Sequence, residues 1–271
     1  MNVLSGEVLG TISPIESMRN SLMGTVKRGL KDFLPGPVLR FSRRLLPLLV
    51  DVDGVHSYGH EGEDMILRRL FIKRERGFYV DVGAHHPRRF SNTYYFYRQG
   101  WCGINIDATP GSMRAFEKWR PRDINLEIAV ANTTKELTFF TFDEPALNSF
   151  DESLSRARDK EQPRVVRIIQ EQKIKTQTLK EVLAQHLPAG QPIDILSVDV
   201  EGLDYDVLLS NDWSKYRPEC VLVECFGVLW EDLAADAACK LLQSYGYQMI
   251  AKTLNTVFFK ISGRRLPSQR A

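Results

Sequence analysis

The run Gly77-Phe-Tyr-Val-Asp-Val-Gly-Ala-His85 is an apolar strand pattern that ends in an acidic residue and a single glycine. A second apolar run, Gly103-Ile-Asn-Ile-Asp-Ala-Thr-Pro110, ends in the carboxylate of Asp107, and the segment from Phe90 to Arg98 between the runs has helical character. A strand, a glycine turn, a helix and an acid-tipped second strand together form a nucleotide-binding half-site. The glycine allows the backbone to approach a ligand closely. We expect Asp107 to accept hydrogen bonds from both hydroxyls of a ribose.

The glycine content of the first turn limits which nucleotide can bind. A dinucleotide site uses Gly-x-Gly-x-x-Gly, and a triphosphate site uses a glycine-rich loop that ends in Gly-Lys-Ser/Thr. This turn reads Gly83-Ala-His-His-Pro-Arg88, with one glycine, and the triphosphate pattern is absent from the sequence. A nucleoside without phosphates is favoured, and S-adenosylmethionine fits because an amino-acid tail replaces the phosphate chain. The alternative is a core strand that happens to end in Asp-Val-Gly.

A third strand pattern lies in Pro192-Ile-Asp-Ile-Leu-Ser-Val-Asp-Val-Glu-Gly-Leu-Asp-Tyr-Asp206, and its apolar part ends in two carboxylates, Asp199 and Glu201, and a glycine. Residues two apart in a strand share a face, so this pattern predicts that the two carboxylates lie together. Such a pair can raise one pKa and provide a base near neutral pH, or it can bind a divalent metal through oxygen. The alternative is a salt-bridged pair that caps the helix after Gly202.

Four motifs in order resemble the FkbM-type family of S-adenosylmethionine-dependent methyltransferases. They are Tyr58-Gly-His-Glu-Gly-Glu-Asp64, Asp81-Val-Gly-Ala-His85, Gly100-Trp-Cys-Gly-Ile-Asn-Ile-Asp-Ala-Thr-Pro110 and Ser197-Val-Asp-Val-Glu-Gly-Leu-Asp-Tyr205. The resemblance covers residues from about 56 to 260. It implies a class I methyltransferase fold and methyl transfer to hydroxyl oxygens, mostly of sugars and of polyketide-type natural products.

Alternating strand and helix patterns predict the fold. Strands are predicted at 77–82, 102–107, 124–130, 193–199 and 219–225, and helices at 90–99, 111–118, 179–186, 204–210 and 230–244. This alternation predicts a parallel sheet with helices on both faces and right-handed crossovers. Two β patterns at 247–253 and 256–261 predict a C-terminal antiparallel hairpin. With the resemblance, the expectation is an α/β class I methyltransferase (Rossmann-like) fold with a mostly parallel seven-stranded sheet.

An insertion interrupts the alternation. The run Glu136-Leu-Thr-Phe-Phe-Thr-Phe142 alternates in hydrophobicity and predicts an added antiparallel pairing. Residues 143–173 are polar and charged, and we interpret them as a loop that covers the site, either as a lid or as a substrate-selecting segment. The alternative is a solvated excursion without a role.

The bulk composition limits the function classes. With 271 residues the chain can form one principal α/β domain, and a net charge of +2 gives no overall nucleic-acid signature. Residues 1–50 hold seven Lys or Arg and three Asp or Glu, with apolar positions at loose helical spacing. This segment predicts either weak membrane-surface contact through residues 17–50 or a helical cap over a sheet edge.

The predicted division is a basic helical extension at 1–50, a methyltransferase domain at 51–262 and a disordered tail at 263–271. We expect a cytoplasmic protein, with peripheral contact at the inner membrane face as an option, because no run approaches the ~20 apolar residues of a membrane span and no signal-peptide pattern occurs. The four cysteines, Cys102, Cys220, Cys225 and Cys239, lack Cys-x-x-Cys spacing and are predicted to be free buried thiols. The oligomeric state is left open.

The motifs assign candidate cofactor-binding residues. The set comprises Glu63, Asp81, Gly83, His85, Asn92, Thr93, Asp107, Ala108 and Ala129. Asp81 is expected to meet the cofactor's ammonium group, and Asn92 and Thr93 either meet its carboxylate or cap the following helix. Ala108 and Ala129 are expected to flank the adenine. The resemblance alone implies that Glu63 closes over the cofactor.

The candidate catalytic residues follow from the proton that a hydroxyl acceptor must lose during methyl transfer. Asp199 and Glu201 are the first choice for the base, and they are also the candidate ligands if a divalent metal is used. His86 is the alternative because imidazole titrates near neutral pH. Glu224, which ends the next strand, is a further candidate that faces the acceptor.

The leading function is O-methylation of a sugar or glycan hydroxyl, with a natural-product hydroxyl as the alternative acceptor. A non-catalytic scaffold that keeps the fold and docks on membranes is the alternative from another class. Retention of Asp107, Asp199 and Glu201 favours the enzyme. The missing second and third glycines disfavour a nicotinamide-dependent oxidoreductase.

Overall fold

The structure is a computed structural model that describes residues 54–161 and 166–261. The predicted extension at 1–50, its membrane contact and the predicted tail at 263–271 lie outside the described residues, so the division of the chain stays a prediction. From Ser57 onward the described chain forms one compact unit. Its helices are each too short or too polar to cross a membrane.

The described chain contains the following elements in order. The helices are α1 (Glu63–Leu70), α2 (Tyr94–Arg98), α3 (Met113–Trp119), α4 (Glu152–Glu161), α5 (Leu179–His186), α6 (Asp204–Leu209) and α7 (Ala237–Ser244). The strands are β1 (Phe78–Val82), β2 (Cys102–Asp107), β3 (Ile124–Glu127), β4 (Ala129–Val130), β5 (Glu136–Phe142), β6 (Ile168–Gln177), β7 (Ile195–Val198), β8 (Cys220–Glu224), β9 (Tyr247–Lys252) and β10 (Thr256–Ile261). Short 3₁₀ turns occupy Pro145–Leu147 and Trp230–Asp232.

Seven strands form the main sheet in the order β3-β2-β1-β7-β8-β10-β9. The first five pair in parallel, whereas β10 lies antiparallel between β8 and β9. The predicted class I arrangement with a C-terminal antiparallel hairpin is confirmed. The strand order reverses between β1 and β7, and in open α/β sheets ligands bind at the carboxyl ends of the strands beside such a reversal.

Helices cover both faces of the sheet, as predicted. Val80 and Val82 of β1 belong to an apolar cluster that contains residues of α5, α6 and α7. Tyr79, which directly precedes Val80, packs in a second cluster with Leu67 of α1 and Phe96 of α2. Because side chains alternate along a strand, these clusters lie on opposite faces of the sheet. Burial on both faces explains why β1 is a continuous apolar run rather than an alternating one.

A small second sheet, in the order β4-β6-β5, is formed by the chain between β3 and β7 of the main sheet. The predicted antiparallel pairing of residues 136–142 is confirmed, since β5 pairs with β6. The prediction that residues 143–173 form a loop is wrong: they include a 3₁₀ turn, α4 and most of β6. Most of β6 was missed because most of its side chains are polar and solvent-accessible, so it carries little hydrophobic signal.

Two predicted elements are divided in the structure. The predicted strand 124–130 breaks at Ile128, where the chain passes from β3 in the main sheet to β4 in the small one. The predicted helix 230–244 begins only at Ala237, because the Asp236 carboxylate accepts a hydrogen bond from the Cys239 N–H at 2.9 Å and caps α7 there. Helix α1 had no sequence prediction.

Candidate active site

A cleft opens at the carboxyl ends of β1, β2 and β7, where the strand order reverses. Besides Gly83, its lining has six polar side chains, which belong to His85, Asp107, Thr109, Asn148, Asp199 and Glu201. Its apolar lining comprises Val82, Ile106, Ala108, Ile128, Val130, Phe139, Pro145, Ala146, Phe150, Val200 and Leu203. Five of the lining residues, Phe139, Pro145, Ala146, Asn148 and Phe150, come from strand β5 and the segment after it, so the insertion forms part of the cleft wall. Sequence reasoning missed this apolar wall.

Gly83 brings two walls of the cleft into contact. Its φ is +84°, and a Cβ at this position would lie 1.6 Å from the carbonyl oxygen of Asp199. A side chain is therefore excluded both by the backbone conformation and by space. The absence of a side chain allows the turn after β1 to touch the chain after β7.

Asp107 lies at the tip of β2 with its carboxylate held in place. One oxygen accepts the backbone N–H of His85 at 2.8 Å, and the other accepts that of Thr109 at 2.8 Å. Two carboxylate oxygens offer about four acceptor positions, so about two remain for a ligand. An oriented carboxylate with free acceptor positions suits the two neighbouring hydroxyls of a ribose.

His85 presents a neutral imidazole to the cleft. Burial lowers its pKa, so the ring is uncharged at neutral pH. Its Nε2 atom is buried and has no hydrogen-bond partner among the described residues. The backbone has φ 52°, a left-handed conformation that is costly for a residue with a side chain. Strain and an unsatisfied buried nitrogen together favour a ligand contact at His85.

The catalytic carboxylates are arranged differently from the sequence prediction. The prediction that Asp199 and Glu201 share a strand face is wrong, because β7 ends at Val198 and Glu201 has φ 54°. The Glu201 carboxylate instead forms a 2.6 Å ion pair with Arg158 of α4. This ion pair makes Glu201 a poor candidate for the base or for a metal ligand.

Asp199 instead approaches Asp204 and Glu224. One carboxylate oxygen from each of the three lies within 4.8 Å of the others, and we call this group the carboxylate trio. Asp199 is accessible from the cleft, although protein surrounds it on its other sides. That enclosure, and then the charges of Glu224 and Asp204, raise the pKa of Asp199 well above its usual range. Burial also raises the pKa of Asp204 to about 7 and that of Glu224 to about 8.

A second cavity adjoins the cleft on the far side of the trio, and we call it the outer cavity. Asp204 and Glu224 line the outer cavity, Asp199 lines the cleft, and Glu201 lines both. The remaining wall includes Arg158, Tyr205, Cys225, Phe226, Val228 and Asp236. The trio therefore stands between the two cavities.

The family model described as methyltransferase FkbM domain matches residues 81–249, which is more than half of the chain. The chain belongs to the FkbM methyltransferase family. It is an S-adenosylmethionine-dependent methyltransferase, as the sequence motifs predicted.

Solved structures related to this FkbM methyltransferase are distant. A TehB-like S-adenosylmethionine-dependent methyltransferase from Corynebacterium glutamicum is 10% identical, with a TM-score of 0.38 over 82% of this chain and 97% of that chain. A TDP-rhamnose 3′-O-methyltransferase of calicheamicin biosynthesis is 11% identical, with a TM-score of 0.34 over 94% of this chain and 97% of that chain. No curated protein matches the chain.

The cleft of this FkbM methyltransferase fits S-adenosylmethionine. Asp107 has acceptor positions for the ribose, and the buried Nε2 of His85 lacks a hydrogen-bond partner among the described residues. Ala108, Ile128 and Val130 supply apolar surface for a base. Ala129 does not belong to this surface: it is buried in β4 and lines a different hollow, because alternate side chains of a strand point to opposite faces.

Asp81 and Thr93 lie behind the cleft rather than in its wall. The Thr93 hydroxyl donates to the Asp81 carboxylate at 2.6 Å and accepts from the Arg120 guanidinium at 2.9 Å. Thr93 is fully buried and is absent from the cleft lining, and its direct contact with the cofactor stays a prediction. Burial raises the pKa of Asp81. This pair holds the start of α2 against β1.

Glu63 and Asn92 form another group outside the cleft lining. Both are buried, and a Cβ on Gly59 would lie 2.4 Å from Glu63 Oε2 and 3.2 Å from Asn92 Oδ1. The Asn92 amide donates to the Ser197 hydroxyl at 3.2 Å. The proposed contacts of Glu63 and Asn92 with the cofactor stay predictions.

His86 has a structural role in the first turn. Its Nδ1 accepts the backbone N–H groups of Arg88 at 3.1 Å and Arg89 at 2.9 Å. His86 is absent from the cleft lining, whereas His85 is present. This placement does not support His86 as the catalytic base.

The raised pKa of Glu224 predicts how stability depends on pH. The folded protein keeps a proton on this carboxyl between its ordinary pKa of 4.5 and about 8, whereas the unfolded chain loses it. The free energy of unfolding should therefore fall as the pH rises through this window. Glu224→Gln should flatten that fall, measured by urea denaturation across the window. Glu117→Gln, on the exposed surface of α3, is the control and should keep the wild-type slope. An unchanged slope in Glu224→Gln would contradict the assignment.

Proposed function

We propose that this FkbM methyltransferase transfers a methyl group from S-adenosylmethionine to a hydroxyl oxygen of a sugar or glycan. The observation that carries the proposal is the position of the carboxylate trio, between a cleft that fits the cofactor and the outer cavity. Donor and acceptor must meet in line, with the reacting atoms ~3 Å apart. The boundary between two adjoining cavities is where such a meeting can occur.

The lining of the outer cavity supports a carbohydrate acceptor. Asp204 and Glu224 offer oxygens that accept hydrogen bonds from hydroxyl groups. Tyr205 and Phe226 line the same cavity, and their rings are 40% and 68% exposed. A sugar ring has apolar faces and hydroxyl groups around its edge. Aromatic rings beside carboxyl groups can therefore pack against its faces while the carboxyl groups bind its hydroxyls.

In this proposal Asp199 is the general base. Its carboxylate accepts the proton of the acceptor hydroxyl as the oxygen attacks, and its raised pKa allows it to hold that proton. S-Adenosylmethionine, when bound, supplies an electrophilic methyl carbon. The nearby charges of Glu224 and Asp204 increase the affinity of Asp199 for that proton.

Glu201 and Arg158 maintain the shape of the site. Their ion pair joins the insertion to the turn after β7, and the Ser149 hydroxyl donates to the Glu201 carbonyl at 2.6 Å. These contacts fix the wall that the cleft and the outer cavity share. Glu201 thus positions the base instead of serving as one.

Cofactor binding is tested by replacing Asp107. Asp107→Ala should weaken S-adenosylhomocysteine binding by about 1.5–3 kcal/mol, the range for hydrogen bonds to a charged group. The Ala variant also releases two backbone N–H groups, so calorimetric titration should be accompanied by a thermal melt. Glu117→Ala, outside the cleft, is the matched control and should bind as the wild type does. An unchanged affinity in Asp107→Ala would remove the ribose assignment.

The acceptor class is tested with isotope-labelled S-adenosylmethionine. The full-length protein is incubated separately with extracted surface glycans and with hydroxylated natural products, and the methylated products are located by mass spectrometry. Label on a sugar oxygen supports the proposal. Label on natural products alone, or on nitrogen or carbon, would overturn the sugar O-methylation.

A further inference from the structure

The fold brings together two cysteines whose spacing in the chain matches no short metal-binding motif. Cys225 directly follows β8, and Cys239 lies in the first turn of α7. With Asp236 they offer three donor atoms, two sulfurs and one carboxylate oxygen, within 4.8 Å of one another. Cys225 Sγ lies 3.9 Å from Asp236 Oδ1. The solvent-exposed fractions of Cys225 and Cys239 are 4% and 0%.

We propose that Cys225, Asp236 and Cys239 form a binding site for a thiophilic divalent cation such as Zn²⁺. Zinc takes thiolate and carboxylate ligands at ~2.0–2.3 Å, and tetrahedral ligands at those distances lie about 3–4 Å apart. The three donors therefore need only a small adjustment. A set with two sulfurs selects zinc or cobalt over magnesium and calcium, which prefer oxygen.

The charges around the site favour a cation. Among the described residues that line the outer cavity, four carry carboxyl groups: Glu201, Asp204, Glu224 and Asp236. One guanidinium, that of Arg158, lies in the same lining and is already paired with Glu201. A lining rich in carboxyl oxygens attracts a divalent cation.

Cation binding at this site would be coupled to deprotonation of the two thiols. Binding forms two metal–sulfur bonds and releases two thiol protons to solvent. Uptake should therefore strengthen as the pH rises.

The site has an entry path and an open position. Cys225 and Asp236 line the outer cavity, so a cation can enter from solvent. Three protein ligands leave the fourth position of a tetrahedral zinc for water or another cavity group. Capping of α7 accounts for one hydrogen bond of Asp236 but not for the two sulfurs beside it.

Cobalt is the probe, because Co²⁺–thiolate bonds produce absorption bands that oxygen ligands do not. The reduced, full-length protein is titrated with Co²⁺ and then with Zn²⁺, and bound metal is counted by native mass spectrometry. We expect one metal per chain, a thiolate band and its loss when Zn²⁺ displaces Co²⁺. Absence of the thiolate band in the folded wild type would overturn the proposal.

Variants assign the ligands. Cys225→Ser and Cys239→Ser should each abolish stoichiometric uptake, and Cys102→Ser, a cysteine outside the group, should leave it unchanged. Asp236→Asn keeps a good capping residue for α7, so its fold should persist while its Co²⁺ affinity falls by at least about tenfold. A thermal melt shows that each variant is folded. Loss of uptake in Cys102→Ser, or full uptake in Cys225→Ser, would overturn the site.

Discussion

Asp199→Asn is expected to lower the rate of methyl transfer by about 10²–10⁴-fold, the range for loss of a general base. Asparagine keeps the size of the side chain but cannot take the hydroxyl proton. Asp199 lines the cleft, but the hydrogen bond that orders Asp107 comes from the backbone N–H of His85. The affinity for S-adenosylhomocysteine should therefore change little. The effect should therefore appear in kcat, measured with saturating labelled cofactor.

The pH profile adds an independent check of the same assignment. Because the pKa of Asp199 is raised, the wild-type rate should climb with pH as the carboxyl loses its proton. Asp199→Asn should lose that dependence along with the rate. If Asp199→Asn retains turnover while His86→Ala loses it, the base belongs to the first turn.

Gly83→Ala is expected to cost more stability than the other glycine replacements with positive φ. Backbone strain alone costs about 1–3 kcal/mol, and the new Cβ would lie 1.6 Å from the Asp199 carbonyl oxygen. Either the turn after β1 or the chain after β7 must move, which would also open the cleft. Urea denaturation should show a lower free energy of unfolding, and cofactor affinity should fall in the fraction that folds.

Gly111→Ala is the matched control for this effect. Gly111 has φ +81°, almost the same as Gly83, but a Cβ there would meet no atom within 4 Å. The control therefore carries the strain without the clash. Equal losses of stability in the two variants would show that the close approach to Asp199 contributes nothing.

The sequence predicted the main sheet well because its strands are buried on both faces. The strands β1, β2 and β7 are mostly apolar runs between turn residues, which is typical of strands in a parallel sheet. The small sheet was predicted only in part. Its strand β5 alternates clearly, whereas the polar side chains of β6 face solvent and give no periodic signal.

The site was predictable where it depends on the tips of strands. Gly83, Asp107 and Asp199 each follow or end a strand, so topology alone brings them to one edge of the sheet. Glu201 was misassigned because the strand stops before it and its backbone turns to φ 54°. The contact between Asp204 and the other trio members depends on a left-handed turn, which period-two reasoning cannot anticipate.

The proximity of the two cysteines in the proposed metal site could not be predicted from the sequence. Cys225 and Cys239 are separated by a 3₁₀ turn and by the cap of α7, and their approach depends on where Asp236 starts that helix. Known zinc motifs rely on short fixed spacings. A pair assembled by tertiary packing has no such spacing to recognise.

The internal position of β10 has a consequence for synthesis on the ribosome. This strand follows all the other described strands in the chain, yet it lies between β8 and β9 and hydrogen-bonds to both. A nascent chain that ends before Thr256 thus exposes the backbone edge of β8 together with buried residues such as Val221 and Val223. Unpaired apolar edges attract other chains. Aggregation and chaperone capture should therefore concentrate in the period after β8 has emerged and before β10 pairs with it.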